Sequence, residues 1–223
     1  MAESIKYTKA EIEKASYPDK PENNLVFSKI PLGRMQSANG RVYHQSNIEV
    51  EERTYVYSST TILDKVLSKG IGFSMWLGNS PSYESAMEYG MKRARIGSMV
   101  HALCMYLLWG ETIDTKYGFY DEDSGRIKVI VDEAKLRLSA FIKFYNDYKP
   151  DPIASEISLY SEDLNKEGDL SYPWAGTADN IVKMPDGKIW LIDIKTGKEY
   201  KQSHELQLTS YKLLWDHIWG KEI

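Results

Sequence analysis

Residues 176–195 read GTADNIVKMPDGKIWLIDIK. Ile181 to Met184 and Ile189 to Ile194 are rich in β-branched and apolar residues, which predicts two strands joined through Pro185-Asp186-Gly187. Proline presets φ at the first turn position and glycine accepts a positive φ, so the expected connection is a type I turn followed by a glycine bulge. In that register Met184 faces Lys188. Counting back along both strands sets Asp179 opposite Asp193 and Thr177 opposite Lys195, and directly opposed residues project from the same face. Two carboxylates and a lysine are therefore expected to converge at one end of a hairpin.

Paired carboxylates repel each other, and a hard divalent cation neutralises them. Mg²⁺ takes one or two protein carboxylates and completes its octahedron with water and substrate phosphate, which this pair suits. Lys195, two residues past Asp193, shares its face of the strand. An ammonium there can orient an attacking water and offset charge on a phosphoryl transition state. An isolated D-x-K is also what an ordinary exposed hairpin carries, so the surrounding motifs decide its weight.

Three further groups flank the hairpin. Ser155-Glu156-Ile157-Ser158-Leu159 alternates as a short strand and offers Glu156 as a third carboxylate. Gly97-Ser98-Met99-Val100-His101 lies in a helical stretch whose spacing of four puts Gly97 and His101 on one face. The glycine admits close approach of another backbone, and His101 offers an imidazole ligand. Downstream, residues 204–211 have helical periodicity, with Gln207 and Tyr211 again sharing a face.

The ordered set G-x-x-x-H, a carboxylate, G-x-x-D, D-x-K and Q-x-x-x-Y resembles the RecB-type branch of the PD-(D/E)XK nuclease superfamily. It covers residues 93–214, about half the chain. The resemblance implies a restriction-endonuclease-like α/β core and a phosphodiesterase on DNA that uses one or two Mg²⁺ or Mn²⁺ ions. It implies Asp179 and Asp193 as principal metal ligands with the Ile194 carbonyl, Glu156 and His101 as further ligands, and Lys195 as the catalytic lysine. It further implies that Gln207 and Tyr211 organise the site or substrate. By the same resemblance, the expected activity is a phage-type or mobile-element exonuclease in DNA replication, recombination or repair. Its partners would be DNA and a recombinase, helicase or annealing protein. Related nucleases often carry a four-cysteine iron–sulfur cluster, which a chain with the single cysteine Cys104 cannot build.

With 42% hydrophobic and 27% charged residues, the composition is that of an ordinary globular protein. No apolar run approaches the ~20 residues needed to span a bilayer, and Met1-Ala2-Glu3-Ser4 lacks the basic and apolar regions of a signal peptide. One cysteine agrees with a reducing compartment. Together these give the expectation of a cytoplasmic protein, in a bacterial or phage-infected cell, with no membrane partner. The net charge of −4 disfavours simple phosphate binding by the whole surface. Local clusters therefore matter: Lys92-Arg93-Ala94-Arg95 precedes the Gly97 motif, and Lys195, Lys198 and Lys201 follow the active strand. Arg93, Arg95 and Lys198 are the expected phosphate contacts.

Along the chain, residues 1–50 read as an N-terminal extension carrying a β-hairpin and residues 51–223 as the nuclease core. Residues 1–24 are polar and irregular. Strands are expected around residues 41–44 and 54–57, with Ala38-Asn39-Gly40 as a hairpin turn. Ser58-Ser59-Thr60-Thr61 starts a helix, with Ser59 or Thr60 as a simple cap the preferred reading; by the resemblance to phage-type relatives, the alternative is that this entry lines the substrate path. Residues 83–109 predict a long helix bent or interrupted at Gly97-Ser98. Residues 132–148 predict a second, with Leu136, Leu138, Phe141 and Phe144 inward. Residues 161–172 read as an acidic, polar loop long enough to overhang a substrate. The last helix, residues 203–219, is expected to bury Leu206, Leu213, Leu214 and Ile218 while presenting Gln207 and Tyr211. The architecture expected is an α/β domain with a central mixed sheet flanked by helices. Three competing readings remain: an endonuclease on the same fold, a non-catalytic DNA-binding subunit, and an unrelated metal-free domain.

Overall fold

The computed structural model describes residues 16–17, 32–67, 71–111, 113, 119–121, 126–161, 173–197 and 200–219, with backbone alone at 16–17, 71–72, 119–121 and 126–128. The expected irregular arm of residues 1–24 therefore lies almost wholly outside the described residues. The loop reading of residues 161–172 lies outside them apart from Ser161, and Lys198 lies outside them altogether. The strands are β1 (Ser16–Tyr17), β2 (Leu32–Ser37), β3 (Gly40–Gln45), β4 (Val56–Tyr57), β5 (Phe119–Asp121), β6 (Arg126–Lys128), β7 (Asp151–Tyr160), β8 (Ala175–Lys183) and β9 (Ile189–Ile192). The helices are α1 (Ser59–Val66), α2 (Ile71–Gly78), α3 (Tyr83–Leu108), α4 (Asp132–Tyr148) and α5 (Lys201–Trp219). The chain is thus mixed α/β. Its ladders, β1-β2-β3-β4, β5-β6 and β7-β8-β9, are antiparallel throughout. The expected mixed sheet is corrected accordingly: among the described residues, parallel pairing occurs only at the isolated bridge Ser58↔Ala175, where the two larger sheets touch.

The β8–β9 hairpin has the register read from its turn. Asn180↔Ile192 and Lys183↔Ile189 pair, the Met184 amide donates to the Lys188 carbonyl at 2.8 Å, and Gly187 takes φ 87°. Alternation then gives the sheet two apolar faces. Val182, Met184, Ile192 and Ile194 pack with Ile96, Val100, Leu103 and Cys104 of α3 and with Leu138 and Phe141 of α4. Ile181, Ile189 and Leu191 pack with Leu214 and Trp215 of α5. The arrangement is three layers, α3 and α4, then β7-β8-β9, then α5. Burying Cys104 among these side chains pushes its thiol up to about 12.

The β2–β3 hairpin closes through the two-residue loop Ala38-Asn39, with Ser37 paired to Gly40, whose φ is 114°. It shares a core with β7 and β8, since Leu32, Tyr43 and Val56 pack against Tyr160 and Ala175. Ser58, rather than Ser59 or Thr60, caps α1 by accepting the Thr61 amide at 3.0 Å. Helix α3 runs unbroken through Gly97-Ser98. A Cβ at Gly97 would lie 3.1 Å from Thr196 Oγ1, so the glycine there admits the segment that follows Asp193 and does not interrupt the helix. Leu136, Leu206 and Leu213 are exposed, against expectation. On α5 the buried stripe is Gln207, Tyr211, Leu214 and Trp215, so polar groups occupy core-facing positions that apolar counting assigns to leucines.

Candidate metal centre in a polar cleft

A cleft of about 600 Å³ opens where β7, β8, α3 and α5 meet the β2–β3 hairpin, and its wall includes His101, Glu156, Asp179, Lys195, Gln207 and Tyr211. Each comes from a different local cause. Asp179 lies on β8 just beyond the last β9 pair, and Asp193 and Lys195 follow β9 directly. The pairs Ser155↔Asn180 and Ile157↔Ala178 bracket Glu156, which places it across from Asp179. Glu156 itself takes φ 50°, a left-handed conformation costly for a non-glycine residue, on the order of 1–3 kcal/mol. Held there, its carboxylate lies 4.0 Å from His101 Nδ1 on one side and 3.9 Å from Arg34 Nη1 on the other.

His101, Glu156 and Asp179 each offer one ligand atom, all within 4.8 Å of one another. His101 Nδ1 is 3.4 Å from Asp179 Oδ2, which also accepts the Ile194 amide at 2.7 Å. Burial, more than the nearby Asp193 and Glu156 charges, raises the Asp179 carboxyl well above its ordinary range. Burial also lowers His101, outweighing the carboxylates that pull it upward, and leaves a neutral imidazole suited to coordination. An imidazole and two carboxylates crowded at this range form a donor set that fits a divalent cation. The group can hold a metal ion.

Asp193 and Lys195 form the second half of the site. Lys195 Nζ is 2.5 Å from Asp193 Oδ2 and donates to Gln207 Oε1 at 3.2 Å. Gln207 Nε2 in turn donates to Asp193 Oδ1 at 3.2 Å and to the Tyr211 hydroxyl at 2.9 Å. One amide therefore fixes both ends of the D-x-K motif, and burial keeps the Tyr211 phenol protonated by raising its pKa. Tyr211 packs over Gly176: a Cβ there would collide with the Tyr211 ring and lie 3.2 Å from Ser59 Oγ. The G-x-x-D and Q-x-x-x-Y motifs thus meet through a steric contact.

The basic residues on the helix before Gly97 do not line the cleft. Arg93 pairs with Glu133, which also accepts Arg137 Nη2 at 2.8 Å, while Arg137 Nη1 donates to the Thr196 carbonyl. Arg93 is thus tied into a network that secures the segment after Lys195. Arg95 is exposed on α3, and neither arginine is among the residues lining the cleft. Among the described residues, the cations that do line it besides Lys195 are Arg34 and Arg41, from β2 and β3. Sequence reasoning missed both. It also missed Tyr43, whose hydroxyl meets Thr177 Oγ1 at 2.6 Å. A buried chain beside Glu156 and Asp179 went unread as well: Trp109 Nε1 donates to Ser155 Oγ at 2.9 Å, and Ser155 donates to Asn180 Oδ1 at 2.7 Å. The only available signal for the arginines was alternation from the Ala38-Asn39 turn, which puts Arg34, Arg41 and Tyr43 on one face.

Comparison with known family models, with curated proteins and with solved structures returns no match. Among the described residues, no helix is long and apolar enough to cross a membrane.

Proposed function

We propose that the chain is a metal-dependent deoxyribonuclease, an exonuclease on a restriction-endonuclease-like core, as its resemblance to the RecB-type PD-(D/E)XK enzymes implies. The observation that carries the reading is convergence. His101, Glu156, Asp179, the Asp193–Lys195 pair and the Gln207–Tyr211 pair are far apart in sequence, yet all join one linked polar cluster beside a cleft. A scattered set of surface polar residues has no physical reason to assemble buried carboxylates against an imidazole.

In this reading His101, Glu156 and Asp179 would hold Mg²⁺ or Mn²⁺, with Asp193 and the Ile194 carbonyl as the further ligands that the resemblance implies. The bound ion supplies Lewis acidity to the phosphodiester and a lowered pKa to water. Lys195 exchanges part of its contact with Asp193 for the attacking water and the phosphoryl oxygens, bringing a positive charge to the transition state. Gln207 keeps the ammonium aimed by accepting a hydrogen bond from it, and Tyr211 fixes the rotamer of Gln207. Water loses a proton as it adds to phosphorus, the bond to the leaving sugar oxygen breaks, that oxygen takes up a proton, and a phosphate monoester and a hydroxyl end result.

Digestion of end-labelled linear single-stranded and duplex DNA beside covalently closed circles, in Mn²⁺, tests the proposal. The expected result is loss of linear DNA with circles spared, and the label position gives the polarity. Cut circles would replace the exonuclease with an endonuclease. Intact DNA in every lane would remove the nuclease.

A further inference from the structure

One face of the β2–β3 hairpin is directed at the candidate site. Arg34 pairs with Tyr43 and Gln36 with Arg41, and directly paired residues share a face, so Arg34, Tyr43 and Arg41 project together. Tyr43 is fully buried and its hydroxyl binds Thr177, two residues before Asp179, which orients that face toward the carboxylates. Arg34 Nη1 then lies 3.4 Å from Thr177 Oγ1 and 3.9 Å from Glu156 Oε2, at the inner wall of the cleft. Arg41 is exposed farther along the same wall. Its backbone is held rigidly, because its carbonyl accepts both the Ser58 amide and the Thr61 hydroxyl at 3.0 Å. A chain of net charge −4 has thus placed two guanidinium groups on the wall of the cleft that holds its carboxylates.

We propose that Arg34 and Arg41 form a phosphate-gripping wall, a binding site for the backbone of the strand being cut. Arg34 holds non-bridging oxygens of the phosphodiester lying over Glu156 and Asp179, and Arg41 holds a neighbouring phosphate of the same strand. The planar fork of arginine binds phosphate oxygens in pairs, and the diagonal placement across adjacent strands, about 7–8 Å between backbones, separates the two grips. The acidic centre would repel DNA, and this wall offsets that repulsion on the side where the strand lies. The hairpin is thereby a working part of the site. This inference rests on the nuclease reading and assigns the residues that hold its substrate.

The test is fluorescence anisotropy with a labelled single-stranded oligonucleotide, Ca²⁺ replacing Mn²⁺ so that the strand survives. A strand of the same sequence with uncharged methylphosphonate linkages is measured beside it. Wild type is expected to prefer the charged strand. Arg41→Ala is expected to weaken binding about tenfold and to reduce the slope of log affinity against log salt by about 0.7, one phosphate contact on a single strand. Arg34→Ala is expected to do the same, and Arg34→Lys to restore the slope while recovering only part of the affinity. Mn²⁺-induced thermal stabilisation should be unchanged in Arg41→Ala. Because Arg41 is exposed, its variant decides the matter even if Arg34→Ala does not fold. Wild type that binds neither strand, nor a duplex of the same sequence, would overturn the nuclease reading together with this one. Wild type that prefers the charged strand, with Arg41→Ala and Arg34→Lys matching it in affinity and slope, would overturn the arginine wall alone.

Discussion

The β8–β9 and β2–β3 hairpins have similar local construction and carry opposite chemistry. Each is closed by a tight turn with a positive-φ glycine, Gly187 in one and Gly40 in the other, and each has a register fixed by that turn. The first leads Asp179, Asp193 and Lys195 to one spot, and the second carries Arg34 and Arg41. Only the contact between them makes a site. The Tyr43–Thr177 hydrogen bond and the Ser58↔Ala175 bridge bring the cationic face over the acidic one. A hairpin encodes its own register locally, whereas the pairing of two hairpins is a tertiary fact encoded by shared burial.

The largest effect should come from breaking the acidic hairpin. Asp193→Ala removes the partner of both Lys195 and Gln207, and turnover should fall by at least about 10²–10³-fold with an unchanged circular-dichroism spectrum. Turnover near wild type would separate Asp193 from the chemistry. Gly176→Ala attacks the packing behind that hairpin: the added methyl meets the Tyr211 ring, so stability should fall by about 1–3 kcal/mol in denaturant titration. An unchanged midpoint would show that Tyr211 yields freely. Tyr43→Phe cuts the bond between the hairpins while keeping the ring in its core, and should cost about 0.5–1.5 kcal/mol. It should also raise the Michaelis constant for DNA more than it lowers kcat, because the cationic face loosens and the carboxylates do not move.

The smallest effect has the least intuitive sign. Asp179 has its pKa raised in the fold, first by burial, so at neutral pH its ionisation favours the unfolded chain. Its contribution is most favourable below the ordinary carboxylate pKa and is lost as pH rises toward the folded value. Asp179→Asn retains an acceptor for the Ile194 amide and removes that penalty. Metal-free Asp179→Asn should therefore melt at or above the wild-type temperature at pH 7, while losing the stabilisation that Mn²⁺ confers on wild type. A variant less stable than wild type without metal would contradict this electrostatic account.

Legibility followed the range of the interaction. The turn at Pro185-Asp186-Gly187 sets the register of Asp179 against Asp193, and helical spacing sets Gly97 with His101 and Gln207 with Tyr211, because these depend on a few neighbouring residues. The face of an amphipathic helix was read less well. Counting apolar residues placed Leu206 and Leu213 inside, but α5 turns Gln207 and Tyr211 to the sheet, where Asp193 and Lys195 satisfy the Gln207 amide and that amide satisfies the Tyr211 hydroxyl. A buried glutamine is invisible to hydrophobic periodicity until its partners are known. Arg93 shows the same limit: its sequence neighbourhood suggested phosphate, and Glu133, forty residues away, claimed it. Arg34 and Arg41 were read as part of an extension because no local signal links them to Glu156.

The most direct test is single-turnover cleavage of a short labelled DNA strand, followed in Mn²⁺, in excess chelator, and with Lys195→Ala in Mn²⁺. The account predicts cleavage by wild type in Mn²⁺, none in chelator, and a rate for Lys195→Ala lower by about 10²–10³-fold despite unchanged Mn²⁺-induced stabilisation. Equal rates for Lys195→Ala and wild type, or cleavage undiminished by chelator, would contradict it.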